Sequence, residues 1–258
     1  MSSPIAIIGG TGLDELPEAA HASPESVLTP YGDAWVRRFV ANDREVIFLA
    51  RHGAEHSIPP HAIRYRANLW ALHDLRARCV LATNATGSLR DDLPPGSLVL
   101  PDQLTDFTKR RLDTFATDDG EWTHIDLTEP FCPSLRAEVL AAASEAAPDV
   151  HDGGTYLCAE GPRFETAAEI RMFRSWGADL VGMTAYPEAA LARELGLCYA
   201  SVCVVTNLAA GMTDSPVSHT EVEEEMASQG PRLRKLLLAA VQGIAEERTC
   251  TCSRQAPS

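Results

Sequence analysis

Short apolar runs alternate with segments of helical periodicity along almost the whole chain, and this alternation dictates a sheet whose strands are covered on both faces by helices. It predicts strands at residues 5–8, 35–40, 46–50, 79–83, 97–100, 155–159, 180–183 and 198–206. Between them, residues 67–77 place Leu69, Leu72, His73 and Arg76 on one helical face, and residues 135–147 are alanine-rich enough to be helical by propensity. Three later helices carry start and stop signals. One follows Glu165, with Thr166 and Glu169 spaced as a capping box and Gly177 beyond its end. The next has Pro187 in its first turn, Leu191 and Leu195 four apart, and Gly196 as its stop. The last runs from about Thr220, with Glu223 in an acidic first turn, to about Glu246.

A chain of 258 residues builds one large core more readily than two. With no internal repeat or composition break, the expectation is an α/β fold in one domain over residues 1–248, followed by a flexible tail at 249–258. The balance of 22 Lys and Arg against 36 Asp and Glu gives a net charge of -14, which repels a nucleic-acid backbone. No apolar stretch is long enough to span a bilayer, and no basic residue precedes Arg37, so neither a membrane partner nor a targeting peptide is expected. The seven cysteines are odd in number, and Cys79, Cys158, Cys198 and Cys203 fall in expected strands, a pattern of reduced thiols and a cytoplasmic setting. A disulfide within Cys250-Thr251-Cys252 would close a strained ring, so that pair is expected to be reduced as well.

Six short motifs carry the chemistry. Gly9-Gly10-Thr11-Gly12 follows the first strand; glycines there admit an anion close to backbone N–H groups, and Thr11 adds a hydroxyl, though a purely structural turn would look the same. A dinucleotide fingerprint fits less well, because Glu15 stands where its third glycine belongs. Arg51-His52-Gly53, with His56 and His61, offers a guanidinium fork and tunable donors at a strand's end; no carboxylate or Cys completes a zinc spacing, and no metal is expected there. Asn84-Ala85-Thr86-Gly87-Ser88-Leu89 reads as a loop of small residues, either hugging a ligand or simply turning. Glu160-Gly161-Pro162-Arg163-Phe164-Glu165-Thr166 sets an aromatic beside a carboxylate, fit for a flat heterocycle or for a core Phe ahead of an ordinary helix start. Gly182-Met183-Thr184 and Val205-Thr206-Asn207 close two further strands.

Taken in order, these motifs resemble the trimeric nucleoside phosphorylases, the family of purine nucleoside phosphorylase and 5'-methylthioadenosine phosphorylase. The resemblance runs from about Ile5 to the last helix and rests on Gly-Pro-Arg-Phe-Glu-Thr, Arg-His-Gly and the run from Ala178 through Pro187, Glu188 and Gly196 to Asn207. It implies a mixed, distorted central sheet flanked by helices, and a homotrimer with sites at subunit boundaries. The implied reaction is phosphorolysis of a purine nucleoside, with inorganic phosphate as co-substrate and no metal or organic cofactor. Carried over by motif, Thr11, Arg51, His52, Ala85 and Thr184 would hold phosphate. Phe164, Glu165, Met183, Asn207, His124 and His219 would meet the nucleoside, with His124 arriving from a neighbouring subunit. Asn207, Glu165 and His56 would be the catalytic groups.

The base follows from donor and acceptor logic. A 6-oxopurine offers N1–H to an ionised Glu165 and accepts from Asn207 at O6 or N7, whereas adenine presents the opposite pattern. In the family this Glu and Asn pair goes with hypoxanthine and guanine, while the methylthioadenosine branch carries Ser and Asp. At the 5' end, overall similarity points toward S-methyl-5'-thioinosine, and His219 tips the expectation toward the hydroxyl of inosine and guanosine. Methylthioadenosine phosphorolysis, hydrolysis by water and nucleoside binding without turnover stay open as alternatives.

Overall fold

A computed structural model describes residues 3–13, 16–53, 56–116, 120 and 122–252. In chain order the elements are β1 (Ile5–Gly9), β2 (Glu25–Thr29), β3 (Gly32–Ala41), β4 (Arg44–Ala50), α1 (Tyr65–Asp74), β5 (Cys79–Ser88), β6 (Leu98–Leu100), β7 (Gln103–Phe107), α2 (Pro133–Ala146), β8 (His151–Asp152), β9 (Thr155–Ala159), α3 (Ala167–Ser175), β10 (Leu180–Gly182), α4 (Ala185–Glu194), β11 (Cys198–Leu208) and α5 (His219–Gly243). The strands make one 11-stranded mixed sheet with the path β2-β3-β4-β1-β5-β10-β9-β7, while β11 joins β5 to β6, and β6 pairs with β8.

Period-2 alternation places the core on both faces of that sheet. In β1, Ile5 and Ile7 pack with Leu135 and Val139 of α2 and Leu233, Leu236 and Leu237 of α5. Ala6 and Ile8 point the other way, against Leu69 and Leu72 of α1 and Leu191 of α4. The expected α/β single domain is therefore the observed one. The face expected for α1 is half right: Leu69 and Leu72 are buried, but His73 and Arg76 are exposed, and Ala67, Asn68 and Ala71 complete the buried stripe.

One distortion opens the site. β11 runs beside β5 from Cys79 to Ser88, so β1 and β10 must share the opposite edge. β1 pairs in parallel with residues 79–82, and β10 pairs antiparallel with Gly87 and Ser88. Residues 83–86 lie between the two, where the strands diverge. The segment expected to be a loop at 84–89 is thus, as far as Ser88, the second half of a long buried strand, paired on its β11 side. A register shift between Val205 and Asn207 bulges β11 at the same level and re-aims its side chains.

Two boundaries also differ. The cap of α5 is Ser218, whose hydroxyl accepts from Glu221 N while Glu221 reaches back to Ser218 N, so the box lies two residues before the expected Thr220 and Glu223. The tail expected to be flexible from 249 is packed as far as Cys252, which is buried in the core; residues 253–258 lie outside the described residues, as does Glu15. No described helix is long and apolar enough to cross a membrane.

Candidate active site

A cavity of about 570 Å³ opens where β1, β4, β5, β10 and β11 end or diverge. It gathers Thr11, Arg51, His52, His56, Ala85, Phe164, Glu165, Met183, Thr184, Asn207 and His219, residues drawn from distant parts of the sequence. His124 is not among its lining residues. It is exposed in the segment before α2, in edge contact with Trp122 at 4.8 Å between ring centroids. His61 does not line the cavity either.

One end of the cavity is built to present donors. Arg51 leaves β4 buried, its Nε and Nη2 donating to the two oxygens of Glu188 at 2.6 and 2.9 Å and its Nη1 donating to Thr83 O at 2.7 Å. Tyr199 OH donates to the same carboxylate at 2.8 Å. Burial disfavours the guanidinium charge, but the Glu188 carboxylate and its hydrogen bonds outweigh that and hold the Arg51 pKa above its usual value. Gly10 must lack a side chain, since a Cβ there would sit 2.6 Å from both Arg51 Nη1 and Thr83 O. Its own N–H donates to Thr83 Oγ1. The glycine turn thus serves the packing of Arg51, and Thr11 is the member of it that lines the cavity.

Thr184 sits opposite, just before α4. Its Oγ1 accepts from Asn84 Nδ2 at 2.6 Å, and Asn84 Oδ1 accepts from Ser201 Oγ at 2.5 Å. A hydroxyl that accepts keeps its own proton for donation, so this buried chain presets Thr184 as a donor. His52 Nδ1 lies 2.8 Å from Ile58 O, a pure acceptor, which fixes the ring with that nitrogen protonated. His56, at φ 51°, lies 4.4 Å from the His52 ring and 3.5 Å from Thr11 Oγ1.

The other end is apolar with two polar groups. Phe164 packs against the core cluster that includes Val222 and Met226, and Met183 is seated over Gly161, where a Cβ would meet its Sδ at 2.6 Å. Glu165 precedes α3, whose expected capping box of Thr166 and Glu169 is present. Burial pushes the Glu165 carboxyl above its ordinary value, partly offset by a backbone hydrogen bond. Asn207 accepts from Thr206 Oγ1 at 2.9 Å and donates to Leu208 O at 2.9 Å. Because Leu208 O only accepts, the amide orientation is fixed and one Nδ2 hydrogen remains for another acceptor. His219, at the start of α5, lies 3.5 Å from Glu223 and flanks Val217 and Val222 on the cavity wall.

A model of the phosphorylase superfamily matches residues 4–242. The chain belongs to that superfamily. Among its members, the 6-oxopurine nucleoside phosphorylase of Pyrococcus furiosus is 49% identical over 256 residues, covering 96% of each chain. A probable S-methyl-5'-thioinosine phosphorylase of Methanopyrus kandleri is 45% identical, covering 97% of this chain and 96% of its own. Of solved structures in the superfamily, methylthioadenosine phosphorylase from Schistosoma mansoni in complex with adenine superposes with a TM-score of 0.87 at 35% identity, covering 93% of this chain and 91% of that one.

Sequence reasoning did not find the supporting roles of Thr83, Asn84, Glu188, Tyr199 and Ser201, although Asn84 and Glu188 stand in the motifs quoted above. Their signal was present as polar residues inside otherwise apolar strands and helices, which need buried partners.

Proposed function

We propose that this chain cleaves 6-oxopurine nucleosides by phosphorolysis, yielding free base and the pentose 1-phosphate. The observation that carries the reading is one cavity with a donor-rich end at Thr11, Arg51, His52 and Thr184 and, across it, Glu165 and Asn207 set to read a purine edge. Phosphate held at the first end, with Ala85 contributing its backbone, stabilises the growing cation at C1' and then forms the C1'–O bond as the C1'–N9 bond breaks. The bonding pair leaves with the purine, and the proton carried in by phosphate ends on it. The remaining Asn207 N–H stabilises the leaving base at N7 or O6, while ionised Glu165 accepts N1–H. Phe164 and Met183 cover base and sugar, and His56 stands between phosphate and ribose. Neither metal nor organic cofactor takes part.

The names of the full-length relatives support the oxopurine choice. At the 5' end, His219 favours a hydroxyl, as in inosine and guanosine; Val217 and Val222 beside it favour a methylthio group, so S-methyl-5'-thioinosine is the second reading. The working unit is a homotrimer in the cytoplasm, in which His124 with Trp122 completes a neighbour's cavity; the exposure of both side chains supports this. The test is product analysis with inosine. Ribose 1-phosphate formed one-to-one with hypoxanthine, and only when phosphate is present, is expected. Free ribose would mean hydrolysis, and tight binding without products would mean a carrier.

A further inference from the structure

Far from the cavity, at the opposite end of β11, thiols converge. The Sγ atoms of Cys132, Cys198, Cys250 and Cys252 all lie within 4.8 Å of one another. Cys132 immediately precedes α2, Cys198 opens β11, and Cys250 and Cys252 come from the segment after α5. All but Cys250 are buried, and none is in a disulfide. β11 rises about 3.3 Å per residue, so roughly 30 Å separates Cys198 from Asn207.

We propose that these four cysteines form a structural site for a thiophilic divalent cation, zinc foremost, that fastens the C-terminal segment to the core. A tetrahedral zinc with sulfur ligands at about 2.3 Å spaces its sulfurs about 3.8 Å apart. The observed cluster brackets that spacing, with Cys198 and Cys250 at 3.2 Å and every pair within 4.8 Å. Oxidation is the competing state: joining Cys250 to Cys252 strains a small ring, whereas joining Cys198 to Cys250 and Cys132 to Cys252 would also use all four thiols, and the structure holds none of these bonds. One cation satisfies all four at once and leaves no open position, as in closed structural sites.

The surroundings suit bound thiolates. Arg248 is almost fully buried, donates to Glu138 through Nη1 at 2.8 and 2.5 Å, and approaches Cys132 Sγ with Nη2 at 3.9 Å. Its Nε has no hydrogen-bond partner among the described residues. A cation with four thiolates carries a net charge of -2, and a buried guanidinium against the sulfurs offsets part of it. Cys132 also sits at the N-terminus of the 14-residue α2, where the helix dipole favours an anionic sulfur.

The experiment uses the full-length protein, reduced and freed of metal, titrated with cobalt(II). Expected are thiolate-to-cobalt charge transfer and the strong visible bands of tetrahedral cobalt, saturating at one ion per chain and bleached by zinc. The Cys250→Ser, Cys252→Ser double variant loses this spectrum, whereas Cys203→Ala, which removes a buried thiol outside the cluster, keeps it. Should the double variant not fold, X-ray absorption on the zinc-loaded natural chain gives the same answer through four sulfur neighbours at about 2.3 Å. Zinc raises the melting temperature and leaves phosphorolysis unchanged. No cobalt spectrum from the reduced chain, a spectrum that survives the double substitution, or a shell of fewer than four sulfurs would overturn the proposal. So would metal-free protein isolated with these cysteines joined in disulfides.

Discussion

Arg51 and Glu188 form a bidentate ion pair from which water is excluded, with the two side chains 1% and 0% exposed. The pair sets the donor end of the cavity, because the carboxylate dictates the plane of the guanidinium and so where its remaining N–H groups point. Removing Glu188 as Glu188→Ala strands a buried cation and is expected to cost about 3–5 kcal/mol of stability. Tyr199→Phe is the gentler test. It removes one hydrogen bond to the carboxylate, costs about 2 kcal/mol, and raises the KM for phosphate while leaving the KM for nucleoside unchanged. Denaturant unfolding and two-substrate kinetics check both, and a Tyr199→Phe enzyme with unaltered phosphate KM would remove the pair from the phosphate site.

Asn84 prepares Thr184 through its 2.6 Å hydrogen bond. Asn84→Ala frees that hydroxyl to rotate, and the expected result is a phosphate KM raised by about 3- to 10-fold, the worth of one hydrogen bond. Thr184→Val, which deletes the donor itself, is expected to do at least as much.

At the apolar end of the cavity, the structure and the sequence agree that Glu165 and Asn207 meet and differ about how they are held. Glu165 was legible from its place beside Phe164 and Asn207 from the family resemblance, and β9, which ends before Glu165, and β11, which carries Asn207, from their apolar runs. The bulge that turns Asn207 inward was not, because it arises from a register mismatch between β11 and β5 that neither strand encodes alone. For the same reason, 84–89 read as a loop: its small polar residues signal a turn locally, yet β11 pairs it as a strand as far as Ser88. The strands β2 and β7 escaped notice because they lie at the ends of the sheet path and carry polar residues at exposed positions. Glu188, the most buried acid at the site, stood in the sequence only as part of the run that carries the resemblance, because its partner Arg51 is 137 residues away.

Asn207→Asp tests that base-reading pair. The substituted carboxylate repels O6 and N7 of an oxopurine and accepts from the N6 amine of adenine, so inosine cleavage is expected to fall by at least about 100-fold while adenosine cleavage rises. Mispaired polar sites of this kind discriminate by up to about 10⁴. Parallel loss on both bases would mean that Asn207 is structural only.

Glu165 gives a pH signature. Burial raises its carboxyl pKa, so on acidification it takes up a proton earlier than an ordinary glutamate and stops accepting N1–H. The acid limb of kcat/KM for inosine is expected above 4.5, the ordinary glutamate value. The linkage sign is opposite for stability. The folded state holds this proton more tightly than the unfolded chain, so the Glu165 contribution falls as pH rises from the unfolded to the folded pKa. Glu165→Gln is therefore expected to melt higher than the natural protein at neutral pH, with the gain vanishing in acid, and to lose activity on inosine. Equal melting at both pH values would show that Glu165 is not held in a desolvated place.

His219→Val isolates the 5' question. With Val217 and Val222 already on the wall, the substitution makes that end wholly apolar, and the ratio of S-methyl-5'-thioinosine to inosine cleavage is expected to rise about 10-fold, the worth of roughly 1.4 kcal/mol. An unchanged ratio would take His219 out of substrate selection.

The measurement that tests the account most directly is the rate of phosphate-dependent base release from inosine, guanosine and S-methyl-5'-thioinosine beside adenosine and methylthioadenosine, on the unaltered protein. Cleavage confined to the three oxopurines, and absent without phosphate, is the predicted result. Faster release of adenine than of hypoxanthine would contradict the pairing of Glu165 and Asn207 with the base.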